Sequence, residues 1–184
     1  MKKITMLMSA VGLAAAFGAN VAHASDGSVL FQGAVIASTC KISNVSANGN
    51  VTVMLPNVGT AQLSAAGKSA GRTPFSFQLT GCSTAAYAPT QVAVAFEPGP
   101  AVNLATGRLK PTGTANPAAN VEIGLLNDTY QPIKVGAAFE DQSSQVVKIV
   151  DGGATLQYAA EYVATGVATA GDASTYVTYS LVYP

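Results

Sequence analysis

Three carboxylates in separate stretches of the chain, Glu97, Glu122 and Glu161, are its best candidates for acid–base work. Two carboxyl groups held at a fixed separation would suit glycoside hydrolysis or proton transfer. No spacing in the sequence brings any two of them together, so the expectation is solvent-facing strand positions. Gly67-Lys68-Ser69 matches the end of a phosphate-binding loop. Gln62 stands where the opening glycine belongs, however, and no strand-to-helix context surrounds the triplet, so it reads as a solvated turn. Glu140, Asp141 and Asp151 are too scattered for a calcium loop. Asn44-Val45-Ser46, Asn50-Val51-Thr52 and Asn127-Asp128-Thr129 match the glycosylation pattern, which is too short to be specific and reads as ordinary polar loop. The single histidine is His23. If it is removed with the leader described next, no Ser-His-Asp or Cys-His arrangement and no His-containing zinc site can be built. We therefore expect no catalytic residues, no metal and no cofactor: this is not the sequence of an enzyme.

Lys2 and Lys3 precede an apolar run from Ile4 to Phe17, and Ala22-His23-Ala24 closes it with small residues at the outer positions. This is the pattern of a secretory signal peptide over residues 1–24, cut after Ala24. A retained membrane anchor is the weaker reading, because Ser9, Gly12 and Gly18 interrupt the run. The remaining 160 residues suit one domain. They carry 7 basic and 9 acidic residues with no block of like charge, which leaves nucleic-acid binding without a basis. Cys40 and Cys82 both lie in the exported part, where an oxidising compartment makes a Cys40–Cys82 disulfide the default. Two free thiols or a metal pair are the alternatives.

Positions that would hold such residues in place are set by period-two alternation, which recurs between turn-forming clusters, while no stretch sustains a helical period. The runs are Val29, Phe31, Gly33, Val35; Val51, Val53, Leu55; Phe75, Phe77, Leu79; Val92, Val94, Phe96; Val121, Ile123, Leu125; Val147, Ile149; Leu156, Tyr158, Ala160, Tyr162; and the terminal stretch. Eight short strands without crossover helices predict an antiparallel all-β sandwich. A short helix or 3₁₀ turn fits Thr60 to Ala66, and residues 99–120 read as loop. Tyr158, Tyr162, Tyr176, Tyr179 and Tyr183 sit at alternating strand positions, which points to packing rather than to a sugar-binding platform.

In the terminal stretch from Gly171, Val177, Tyr179, Leu181 and Tyr183 share one face. So apolar a strand needs its edge covered, because an open row of N–H and C=O groups beside large side chains recruits another chain. The alternating residues Val29, Phe31, Gly33 and Val35 are the candidate cover.

With these residues in view, the chain resembles the pilin subunits of chaperone–usher fimbriae, and the shaft subunits of type 1 fimbriae in particular. The resemblance spans the whole chain. It rests on the leader; on Gly27-Ser28-Val29-Leu30-Phe31-Gln32-Gly33 leading through Val35 to Cys40; on Gly81-Cys82; and on Gly171 at the fourteenth position from the end with Tyr183 penultimate. It implies an incomplete immunoglobulin-like sandwich, short of its seventh strand and completed by a donor strand from a neighbouring subunit. Residues 25–38 would be the donor extension, carrying Val29, Phe31, Gly33 and Val35, and residues 39–184 the pilin body. Gly171, Val177, Tyr179, Leu181 and Tyr183 would form the groove strand recognised by chaperone and usher. The implied partners are other pilin subunits, a periplasmic chaperone and an outer-membrane usher, with export through the periplasm to a surface fimbria that supports adhesion. The alternative is a minor adaptor or adhesive subunit that binds a host glycan or protein. Pro184 and the absence of a long polar spacer before Gly27 depart from the pattern.

Overall fold

The computed structural model describes residues 29–31, 40–46, 49–113 and 115–184. The expected signal peptide, Gly33 and Val35 lie outside the described residues. The chain divides into two units, Met1–Ala34 and Val35–Pro184. In the first, Val29 and Phe31 are without regular secondary structure, with 78% and 89% of their surface exposed.

The second unit is almost entirely β. Its strands are β1 (Lys41–Ile42), β2 (Ser69–Thr80), β3 (Gln91–Phe96), β4 (Val102–Asn103), β5 (Arg108–Leu109), β6 (Val121–Leu126), β7 (Val146–Lys148), β8 (Ala154–Ala164) and β9 (Tyr179–Val182). They form a six-stranded sheet in the order β1-β2-β8-β6-β5-β4 and a three-stranded sheet in the order β7-β3-β9. Every strand-to-strand ladder is antiparallel. The expected 3₁₀ turn is present over Thr60–Leu63, and Gly67-Lys68-Ser69 is a turn entering β2.

Two expectations need revision. Residues 51–55 alternate in burial as a strand does, yet they pair with no described strand. Residues 99–120 are not all loop, because β4 and β5 lie there; at two residues each, they are too short to show a period.

The sheets meet through aromatic side chains. Phe77 on β2 and Tyr158 on β8 pack at a centroid distance of 5.8 Å, and Phe96 on β3 reaches Tyr158 at 5.3 Å, both edge-on. This edge-to-face arrangement is the one aromatic quadrupoles favour. The Tyr158 hydroxyl is satisfied by Ser144 Oγ at 3.0 Å, and Ser144 in turn donates to the Val94 carbonyl. Burial pushes the Tyr158 phenol up to about 12 despite that hydrogen bond. Buried Gln142 replaces a strand partner at the end of β3, accepting from Phe96 N–H and donating to Phe96 O and Ala137 O. β2 tolerates Pro74 because, at that level, its ladder runs to β8 on one side alone among the described residues. The Cys40–Cys82 disulfide is formed and ties the start of β1 to the residue pair that follows β2.

Glu122 and Glu161 correct the expectation of solvent-facing carboxylates. They occupy one face of neighbouring strands β6 and β8 and are only 6% and 7% exposed. Arg72 Nε donates to Glu161 Oε2 at 2.8 Å and stacks on the Tyr130 ring. Asn103 donates to Glu122 Oε1, and Arg108 Nη1 lies 3.7 Å from Glu122 Oε2. Each carboxylate is thus held by its own arginine, an arrangement suited to closing a sheet face rather than to proton transfer.

Candidate functional site: an open groove beside the terminal strand

Among the described residues, the terminal stretch has an in-chain neighbour along one edge only. β9 pairs with β3, from Phe96↔Tyr179 to Ala93↔Val182. Upstream of β9 the same edge continues, with Glu97 N–H donating to Thr178 O, Thr112 N–H to Ser174 O and Asp172 N–H to Asn116 O. Along the opposite edge no described strand is paired. Facing it is the extended segment 50–58, in which Val51, Val53 and Leu55 turn inward while Thr52 and Met54 turn out. Two antiparallel lips therefore flank a groove of about 1140 Å³. Its floor is the sandwich core itself, including Phe75, Phe77, Leu109, Ile123, Leu125 and Tyr162. Edge backbone above an apolar floor presents what an incoming strand needs: ladder partners and a place to bury alternate side chains.

The structure assigns different positions to the terminal residues expected to form this site. Val177 and Tyr179 line the groove, Gly171 lies at its far end, and Leu181 and Tyr183 pack against the same core beyond its near end. The Tyr179 ring lies 4.7 Å from Phe77, and its hydroxyl donates to the Gly49 carbonyl at 2.6 Å, fastening one lip to the other. Burial raises the Tyr179 phenol above its ordinary value. Tyr162 is raised as well, by burial first and the negative charge of Asp172 second. Asp172 is held below the usual carboxylate range by the Ser174 hydroxyl and then by the Ser174 N–H.

Two glycines shape the far end. A Cβ on Gly171 would stand 2.5 Å from both Ala118 N and Asn116 O, so the terminal stretch crosses the 116–118 backbone too closely for any side chain. Gly71 has φ +69°, sits at the bulge in β2, and would bring a Cβ to 2.9 Å from the Tyr162 ring and 3.0 Å from Val58. The bulge lets Val58 and Tyr162 close over one another there. The lip formed by residues 50–58 is what reading the sequence as strands missed. Its alternation was visible, but a strand and an unpaired extended segment share that pattern.

An antiparallel immunoglobulin-like sandwich with an open edge beside its terminal strand is the class that the fold and groove define. Residues 55–184 match the family model for type-1 fimbrial protein, A. The F17 fimbrial protein of Escherichia coli is 41% identical over 185 residues, covering 100% of this chain and 99% of that one. Major fimbrial subunit SMF-1 of Stenotrophomonas maltophilia is 43% identical over 166 residues, covering 88% and 95%. The solved structure of a chaperone–usher pilus superposes with a TM-score of 0.60 at 23% identity, over 87% of this chain and 96% of that one. The chain belongs to the type-1 fimbrial protein family, as a structural subunit of a surface fimbria and not an enzyme.

Proposed function

We propose that this subunit polymerises head-to-tail by donor-strand exchange: residues 25–38 of one copy occupy the groove of the next, with Val29, Phe31, Gly33 and Val35 turned to its floor. The supporting observation is the terminal stretch, which among the described residues is laddered on one edge and borders the apolar groove on the other. The lip from Gly171 to Tyr179 spans roughly 30 Å at about 3.3 Å per residue, and seven donor residues from Val29 to Val35 extend about 23 Å, which fits within it. Burying Val29, Phe31 and Val35 would contribute on the order of 1.5–3 kcal/mol each, beyond the backbone ladder. Gly33 suits a point where donor and groove backbones come close. Donor and groove are different surfaces, so the contact does not close on itself and a fibre results. Withdrawing a donor would expose a whole core edge to water, which makes dissociation slow.

In the same reading residues 1–24 direct export and are removed. A periplasmic chaperone then covers the groove until an outer-membrane usher exchanges its strand for the next donor. The test is deletion of residues 25–38 in the otherwise complete chain. The truncated subunit is expected to bind the chaperone and to be absent from fibres as a donor. Fibres of normal length built from it alone would overturn the assignment.

A further inference from the structure

We propose that successive copies also meet end to end, the 83–90 loop of one seated on the far-end platform of the next, with Tyr87 and Val167 at the centre of the contact. The proposal rests on the donor-strand reading above and adds to it a second, separate surface.

The two ends of the body differ. At the disulfide end, loop 83–90 and turn 150–153 lie side by side, since Cys82 N–H donates to Gly152 O and Ile149 N–H to Thr90 O. Tyr87 stands at the tip of this loop, 90% exposed and in left-handed backbone at φ 66°. A bulky residue rarely adopts that conformation, and nothing in the packing of the loop requires an aromatic there. The far end is knit together by Ala168 N–H to Leu63 O, Thr169 N–H to Ala119 O and Asn120 Nδ2 to Val167 O. It presents Val167, 68% exposed, among the small exposed residues Ala65, Ala66, Pro117, Ala119 and Ala170.

The topology brings these unlike ends together. The terminal stretch runs from the far end toward the disulfide end, because β9 is antiparallel to β3 and β3 leaves the disulfide end. A donor paired antiparallel to it, the stronger ladder and the one that completes an antiparallel sheet, runs the other way and emerges at the far end of its acceptor. Cys40, which opens the donor's own body at its disulfide end, follows only five residues after Val35. Five residue steps reach at most about 17 Å. The disulfide end of each copy is therefore tethered directly over the far end of the copy it enters. Short tethers give effective concentrations in the millimolar range, so a patch built around one tyrosine anchor suffices.

The experiment uses the complete chain carrying Tyr87→Cys and Val167→Cys together, with each single variant as control. Fibres are isolated, oxidised and denatured without reductant. A covalent ladder of multimers from the double variant, absent from both single variants, is the expected result. Abundant fibres without a ladder would overturn the end-to-end contact and leave donor exchange standing. Dimers from Tyr87→Cys alone would overturn it by showing that like ends meet. Failure of the donor reading has its own signature, fibres formed after deletion of residues 25–38. Tyr87→Asp supplies a readout without new thiols: fibres should form in normal number and bend with a shorter persistence length in electron micrographs, and unchanged stiffness counts against the contact.

Discussion

Replacing Gly171 with alanine asks whether the groove's far end is set by a backbone crossing. The added Cβ would sit 2.5 Å from Ala118 N and Asn116 O and 2.7 Å from the Pro117 carbonyl carbon. All three are backbone atoms, so no side-chain rotation relieves the clash, and overpacking of this kind costs about 1–3 kcal/mol. The shift would strain the reciprocal hydrogen bonds Asp172 N–H to Asn116 O and Ala118 N–H to Asp172 O, each 2.8–2.9 Å long. Those two bonds are worth about 1 kcal/mol each. Reduced freedom of the unfolded chain returns roughly 0.4–1 kcal/mol. The net loss is then about 2–5 kcal/mol, or a melting point lower by roughly 10 °C for a domain of this size. Gly99 is the internal control, since a Cβ there meets nothing within 4 Å and its φ is not left-handed. Gly99→Ala should change stability by no more than about 0.5 kcal/mol. Urea unfolding of the mature chain followed by circular dichroism reads both. Equal stability of the two variants would refute the crossing as the reason for glycine at position 171.

Three further outcomes are expected. Phe31→Arg should abolish incorporation into fibres while leaving the body folded, because it places an unpaired charge over an apolar floor; fibre length measured by electron microscopy would be unchanged if Phe31 faces water. Cys40→Ser opens a disulfide spanning 42 residues of sequence, a loss of about 4 kcal/mol in the chain-entropy account, and should lower the periplasmic yield of subunit as judged by immunoblot. Tyr158, raised to about 12 from an ordinary value of 10.0, contributes stability that is fully present below pH 10 and lost as pH rises toward 12. That shift corresponds to about 3 kcal/mol, so Tyr158→Phe should flatten the fall in stability over that window, and an unaltered alkaline slope would exclude Tyr158 as its source.

Much of the candidate site was legible because strands write their burial in a period of two. Phe75, Phe77, Val92, Val94, Ile123, Leu125, Leu156 and Tyr158 were readable as inward residues, and the structure places them in one core. The pairing of Cys40 with Cys82 followed from there being two cysteines in an exported chain. Burial of Glu122 and Glu161 was not legible, because their arginines come from residues 14 and 89 positions away, and only the strand order brings them over the same face. The distinction between a paired strand and an open lip was hidden for the same reason: Val51, Val53 and Leu55 alternate as Val92, Val94 and Phe96 do. Gly171 likewise stood out by its offset, while its physical cause, the backbone at 116–118, lies more than fifty residues upstream.

The sequence alone determined which side chains seek a core, which residues turn the chain, and that the chain carries no histidine besides His23. Those properties are local, carried by residue type and spacing. Tertiary structure alone decided which edges found partners. A ladder needs two segments side by side at a common register, and where the second lip lines the core without pairing to the first, the same alternating pattern becomes a groove rather than a sheet.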